Sequence, residues 1–166
     1  MAEAAFDVVR VDPTLWRVYR DVRLAALIDS PRAFGSTYAQ VAERPDAGWR
    51  EFVTNAVLWL AMAGQRPLGT IGLYDDPDLR PDQTYLVGMW VASGARGHGV
   101  GDRLVDAALR EARTHGKRQV VLEVSQDNDP AIGLYARHGF VPTGRLVALG
   151  RDATIVEQEM VADLHV

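Results

Sequence analysis

The hexapeptide Arg96-Gly97-His98-Gly99-Val100-Gly101 separates an apolar run, Tyr85-Leu86-Val87-Gly88-Met89-Trp90-Val91, from a strongly amphipathic segment. The run has the length and residue types of a buried strand. The segment after it sets Val100, Leu104, Val105, Ala108, Leu109 and Ala112 on one helical face. Strand, glycine-rich turn and helix start, in that order, restrict the fold more than any other feature of the chain. Glycines take up dihedrals closed to other residues and let a ligand reach the backbone. The free N–H groups of a first helical turn, at the positive end of the helix dipole, suit an anion. A tight strand-to-helix turn without a ligand uses the same residues, so the hexapeptide alone leaves both readings open. A P-loop fails, because it needs Gly-Lys-Ser/Thr and Gly101 is followed by Asp102 and Arg103. A dinucleotide site also fits poorly. It needs Gly-x-Gly-x-x-Gly near the first strand, whereas Gly97-x-Gly99-x-Gly101 comes late in the chain.

A second motif follows the next strand-like run, Gln119-Val120-Val121-Leu122-Glu123-Val124. It reads Asn128-Asp129-Pro130-Ala131-Ile132-Gly133-Leu134-Tyr135-Ala136-Arg137-His138-Gly139-Phe140. With both motifs in hand, the chain resembles the GNAT acyltransferase superfamily, whose members use acetyl-coenzyme A or a related acyl-CoA. The family's pyrophosphate loop, Arg/Gln-x-x-Gly-x-Gly/Ala, is matched by Arg96, Gly99 and Gly101. Its later motif, Asn-x-x-Ala-x-x-Leu-Tyr-x-x-x-Gly-Phe, is matched by Asn128, Ala131, Leu134, Tyr135, Gly139 and Phe140. The resemblance is sharpest over residues 84–142 and extends more loosely across the whole chain.

The resemblance implies an α/β (α+β) fold: a mixed, mostly antiparallel sheet of about seven strands with four helices, splayed between strands 4 and 5. Acetyl-CoA would be the co-substrate, with no metal. Its pantetheine arm would lie in the splay against the backbone of Met89, Trp90 and Val91, supplying amide partners as an added strand does. The turn from Arg96 through Gly97, His98, Gly99 and Val100 to Gly101 would grip the pyrophosphate, and Asn128 and Tyr135 would complete the cofactor site. Gly88, inside the strand, fits a bulge at this point or simple close packing.

The reaction implied is acetyl transfer to a primary amine of a small molecule, amino acid or peptide. A neutral amine attacks the thioester, a tetrahedral intermediate forms, and coenzyme A leaves as a thiol. Proximity, backbone oxyanion donors, an acid for the thiolate and a base for the amine are needed. Tyr135 is the family's usual acid, the reading the complete motif favours; a core aromatic beside Leu134 is the other. The base departs from the family pattern. Tyr85 stands where many members carry a carboxylate on the fourth strand, and a phenol with a pKa near 10 is a poor base. Glu123 is the best remaining carboxylate, since alternation sets it opposite Val120, Leu122 and Val124; a solvated edge residue is the other reading. His98 belongs to the phosphate turn, and His115 and His138 complement helix ends. No His, Asp or Glu cluster has metal-ligand spacing. The absent carboxylate keeps a second function class open, a non-catalytic acyl-CoA-binding regulatory module.

Composition fits these expectations. The 166 residues suit one domain over 1–166, and the net charge of −4, with no long Lys/Arg run, argues against a nucleic-acid surface. No stretch of about 18 apolar residues offers a membrane span. Residues 1–7 lack the pattern of a signal peptide. The chain has no cysteine, which excludes disulfides, a thiolate metal site and a cysteine acyl-enzyme. A cytoplasmic protein is the plain inference. In the family the final strands often pair, implying a homodimer, and exposed sheet edges tend to be covered.

Elsewhere the pattern predicts a strand over 6–11 and a helix from Pro13 to about Asp29, capped by Asp12, with Leu24, Leu27 and Ile28 as its apolar face. A helix over 46–55 follows around Trp49, Phe52 and Val53. Strands over 57–63 and 68–74 form a hairpin, and final strands over 140–149 and 154–162 meet at Gly150-Arg151-Asp152. By resemblance the acceptor pocket would use residues 33–38, the Trp49–Phe52 region and residues 146–154.

Overall fold

The computed structural model describes residues 5–165; readings that fall on residues 1–4 and 166 lie outside it. Seven strands form one sheet: β1 (Asp7–Arg10), β2 (Val57–Ala63), β3 (Arg66–Tyr74), β4 (Gln83–Val91), β5 (Gln119–Ser125), β6 (Val141–Leu149) and β7 (Asp152–Asp163). Their order is β1-β2-β3-β4-β5-β7-β6. Every neighbouring pair is antiparallel except β4 and β5, which run parallel.

Among the described residues five α-helices cover the sheet, not four: α1 (Trp16–Asp29), α2 (Tyr38–Ala42), α3 (Asp46–Asn55), α4 (Val100–Thr114) and α5 (Asp129–Arg137). The additional one, α2, is closed by a capping box. Thr37 Oγ1 accepts from Gln40 N at 3.3 Å while Thr37 N donates to Gln40 Oε1 at 3.0 Å. The Thr-x-x-Gln spacing carried that signal. No helix among the described residues is long and apolar enough to cross a membrane.

The sheet divides two cores. On one face α4 buries Val100, Leu104, Val105, Ala108, Leu109 and Ala112, the face its periodicity predicts, together with Val120, Leu122, Val124, Tyr135 and Phe140. On the other, α1 and α3 pack Trp16, Tyr19, Val22, Trp49 and Val53 over Leu58 and Leu60. Here one expectation is corrected. The buried face of α1 is Trp16, Tyr19, Val22, Ala26 and Leu27, while Ile28 is 65% exposed. Asp12 caps a short 3-10 turn over Pro13–Leu15 rather than the α-helix itself. The aromatic pair Tyr19 and Trp49, edge to face at 6.2 Å, then sets the phase of α1.

A candidate active site in the split between β4 and β5

The parallel pair β4–β5 holds only at Gln83↔Gln119, Thr84↔Val120 and Tyr85↔Val121, although β4 runs on to Val91 and β5 to Ser125. Beyond Tyr85 the strands part. A bulge redirects β4: Thr70 lies opposite Trp90 but Gly72 opposite Val87, so β4 carries one extra residue there. Gly88 takes φ +64°, a left-handed conformation natural to glycine. No side chain crowds its Cβ position, so conformation rather than packing accounts for this glycine.

An open cleft of 1280 Å³ follows the gap, lined by residues of β4, the 96–101 turn, α5, β5, residues 33–35 and residues 147–150. The Trp49–Phe52 region, expected at the acceptor pocket, does not line it, Trp49 being buried in the core. Helix α4 starts at its turn end. Its N-cap Gly99 has φ +80° and provides no side-chain cap, so the first N–H groups of α4 have no protein partner of the usual kind. Gly97, at φ +79°, shapes the same turn. Gly101 serves a different purpose, because a Cβ there would lie 3.1 Å from Leu134 Cδ2 and 3.2 Å from Met89 Cε. It seats α4 against α5 and β4. His98 is exposed and does not line the cleft.

Arg96 does not stand free. Its Nε donates to Val91 O at 2.9 Å and its Nη2 to Asp29 Oδ2 at 2.7 Å. The same carboxylate oxygen accepts from Trp90 Nε1 at 2.9 Å and from Ser30 Oγ at 2.8 Å. These donors, the Trp90 indole foremost, hold the Asp29 carboxyl below the usual range. Asp29 therefore ties the end of α1 to both β4 and the turn. Sequence reading missed it, since its partners lie 61 and 67 residues away.

Tyr135 lines the cleft from α5 and packs its ring edge to face on Phe140 at 5.7 Å. Burial pushes its phenol well above the ordinary value. Asn128, also on the cleft, caps α5 by accepting from Ala131 N at 3.3 Å. Across the gap stand two carboxylates. Glu123 is exposed, opposite Glu159 in the β5–β7 register, while the partly buried Glu157 faces Ser125. Glu123 and Glu157 are thus diagonal neighbours on one sheet face. Burial first, and Glu123 second, raise the Glu157 carboxyl. Burial likewise raises the Tyr85 phenol. Glu157 was invisible in sequence, where nothing fixes which residue of β7 meets β5. At the far end, Arg151 of the β6–β7 hairpin tip donates to the carbonyls of Pro31 and Phe34.

The sequence profile of the Acetyltransferase (GNAT) family matches residues 23–140. The chain belongs to this family. The GNAT chain is 37% identical over 89 residues to human N-acetyltransferase 8B, covering 52% of itself and 39% of that protein. It is 34% identical over 111 residues to mycothiol acetyltransferase of Corynebacterium glutamicum strain R, covering 66% of itself and 36% of that protein. The match thus spans well under half the length of these two relatives. Among solved structures, a GNAT acetyltransferase from Streptococcus pneumoniae superposes with a TM-score of 0.79 at 19% identity, covering 97% of this chain and 100% of that one. A protein from Salmonella typhimurium, described as an acetyltransferase and solved with its cofactor acetyl-CoA, gives 0.74 at 18% identity, covering 98% and 95%. At these identities the likeness concerns the fold. Among the described residues no group of three or more His, Asp or Glu could hold a metal ion.

Proposed function

We propose that this protein is an acetyl-CoA-dependent N-acetyltransferase acting on a primary amine. The observation that supports this best is a single cleft joining four parts: an uncapped glycine turn, a strand gap, a buried phenol and a carboxylate pair. In this reading the backbone N–H groups of the turn and of the first turn of α4 bind the pyrophosphate, the Arg96 guanidinium being committed to Asp29. The β4 backbone at Met89 and Trp90 offers the pantetheine arm hydrogen bonds that β5 no longer takes, while the Val91 carbonyl already accepts from Arg96.

The amine nitrogen forms a bond to the thioester carbonyl carbon to give a tetrahedral intermediate, whose collapse breaks the C–S bond. The carboxylate pair accepts the amine's proton. Glu123 holds the second negative charge that keeps Glu157 basic. Tyr135, kept protonated by its burial, donates its proton to the leaving sulfur. The same reading places the enzyme in the cytoplasm, with acyl-CoA and an amine as its partners and no nucleic acid.

Release of coenzyme A thiol from acetyl-CoA, measured against a panel of amines with the N-acetyl product identified by mass, tests the proposal. Tight acetyl-CoA binding with no transfer to any amine would move the protein to the non-catalytic binding class.

A further inference from the structure

Arg23, on α1, lines the cleft without any of the companions that a buried guanidinium normally has. Its Nη1 is sealed from solvent and has no hydrogen-bond partner among the described residues. Its titratable neighbours are the Tyr19 phenol, held neutral by its own burial, and the Arg44 guanidinium, a second cation. No carboxylate among the described residues pairs with it, and burial, more than any neighbour, weakens its hold on its proton. The guanidinium carbon stands over the face of Phe34, 4.7 Å away. Phe34 is in turn held through its carbonyl by Arg151 at 2.9 and 3.2 Å. A buried charge without a partner is destabilising. Arg23 lines the cleft, and a planar guanidinium can take up a carboxylate with two parallel N–H bonds.

Given the acetyltransferase reading on which this rests, we propose that Arg23 binds the carboxylate of the acceptor, whose class is therefore an amino acid or other amino-carboxylate rather than a simple amine. The charges around the cleft are distributed accordingly. Arg23 stands on the α1 wall with Ser30, Phe34 and Gly35, and Glu123 and Glu157 stand on the β5–β7 wall, while the other cleft cations, Arg96 and Arg137, are paired with Asp29 and Asp102. An acceptor bearing both charges is the ligand this arrangement complements, its ammonium toward the carboxylates and its carboxylate toward Arg23. A coenzyme A phosphate is the competing anion. It belongs at the 96–101 turn, where Arg96 meets Asp29. Arg23 lies six residues before Asp29, about 9 Å back along α1.

The test uses matched acceptors: amino acids, their carboxamides and their decarboxylated amines, each with saturating acetyl-CoA. In the wild type at least one amino acid is expected to show kcat/KM at least tenfold above both of its matched analogues. Arg23→Gln should abolish that gap by raising KM for the amino acid about tenfold or more, with kcat within about threefold. Arg23→Lys should keep part of it. Calorimetric affinity for acetyl-CoA should be unchanged in both variants; a tenfold loss there would assign Arg23 to the coenzyme and overturn the proposal. Folding is monitored separately. Arg23→Met should melt at a higher temperature than the wild type in the absence of ligand, because it removes an unpaired buried charge. The matched amino acid, added with coenzyme A, should raise the melting temperature of the wild type only. Amines or amides handled as well as the amino acid, or a preference surviving in Arg23→Gln, would overturn the assignment. So would a wild type that binds acetyl-CoA yet neither acetylates nor binds any amino acid. A wild type that does not bind acetyl-CoA would instead overturn the reading underneath.

Discussion

Tyr135 packs against Phe140 and is the proposed proton donor, and the two roles separate under substitution. Its ring contact with Phe140 survives in Tyr135→Phe, so fold and acetyl-CoA affinity should persist while turnover falls roughly 10²-fold through loss of the proton donor. Turnover at saturating acetyl-CoA checks this, and a loss under about threefold would leave Tyr135 as a core aromatic. Glu157 makes a second prediction, in pH. Its folded carboxyl is raised by burial and by Glu123, and a base must be deprotonated. Hence kcat/KM should rise with pH through an apparent pKa above the ordinary glutamate range, and Glu157→Gln should remove that limb along with most activity. The stability effect has the opposite sign. The folded carboxyl keeps its proton to higher pH than the unfolded one, so stability declines as pH climbs from the ordinary glutamate value through the folded value. Glu157→Gln should flatten that decline in thermal melts taken across the acidic range.

At the scale of elements, the turn before α4 and the hairpin tip of β6–β7 bracket the cleft and should fail in different ways. Gly99 needs a positive φ and faces open space, so Gly99→Glu adds strain and a carboxylate at the anion end. Acetyl-CoA affinity should fall at least tenfold, about 1.4 kcal/mol; unchanged affinity in a calorimetric titration would remove the turn from the cofactor site. Arg151→Ala frees the Pro31–Phe34 loop and should raise acceptor KM while leaving acetyl-CoA affinity intact. These elements were legible in sequence to the extent that they are local. Alternation, the glycine spacing and the Asn128–Phe140 motif all lie within one element and its flanking turns, and α4 buries the face its periodicity marks. What depends on two distant segments meeting was not legible. Glu157 reaches Glu123 only through the β5–β7 register, Asp29 gathers donors from β4 and the turn, and the unpaired state of Arg23 is defined by what surrounds it. The true face of α1 was hidden by its 3-10 start.

For the molecule as a whole, the sheet ends in two edges of different character. The β1 edge is short, at Asp7–Arg10. The β6 edge is nine residues long and largely exposed, with Val141 and Leu146 58% and 57% accessible. Its ladder to β7 is broken between Pro142 and Leu146, where Gly144 takes φ +90°. Proline and a break in register are devices that discourage open-ended pairing, yet two large apolar side chains remain in water beside them. Covering Val141 and Leu146 with the same strand of a second copy satisfies both features, because a two-fold contact closes on itself and leaves no further edge. We therefore expect a homodimer through β6. Light scattering should report about twice the chain mass of 18.3 kDa, and the double change Val141→Lys with Leu146→Lys should shift it to the monomer without loss of acetyl-CoA binding. A wild-type mass near that of one chain would refute the pairing. Because Arg145 and Glu159, joined at 3.1 Å, lie on this hairpin close to Glu123, dissociation should alter acceptor KM before it alters coenzyme affinity.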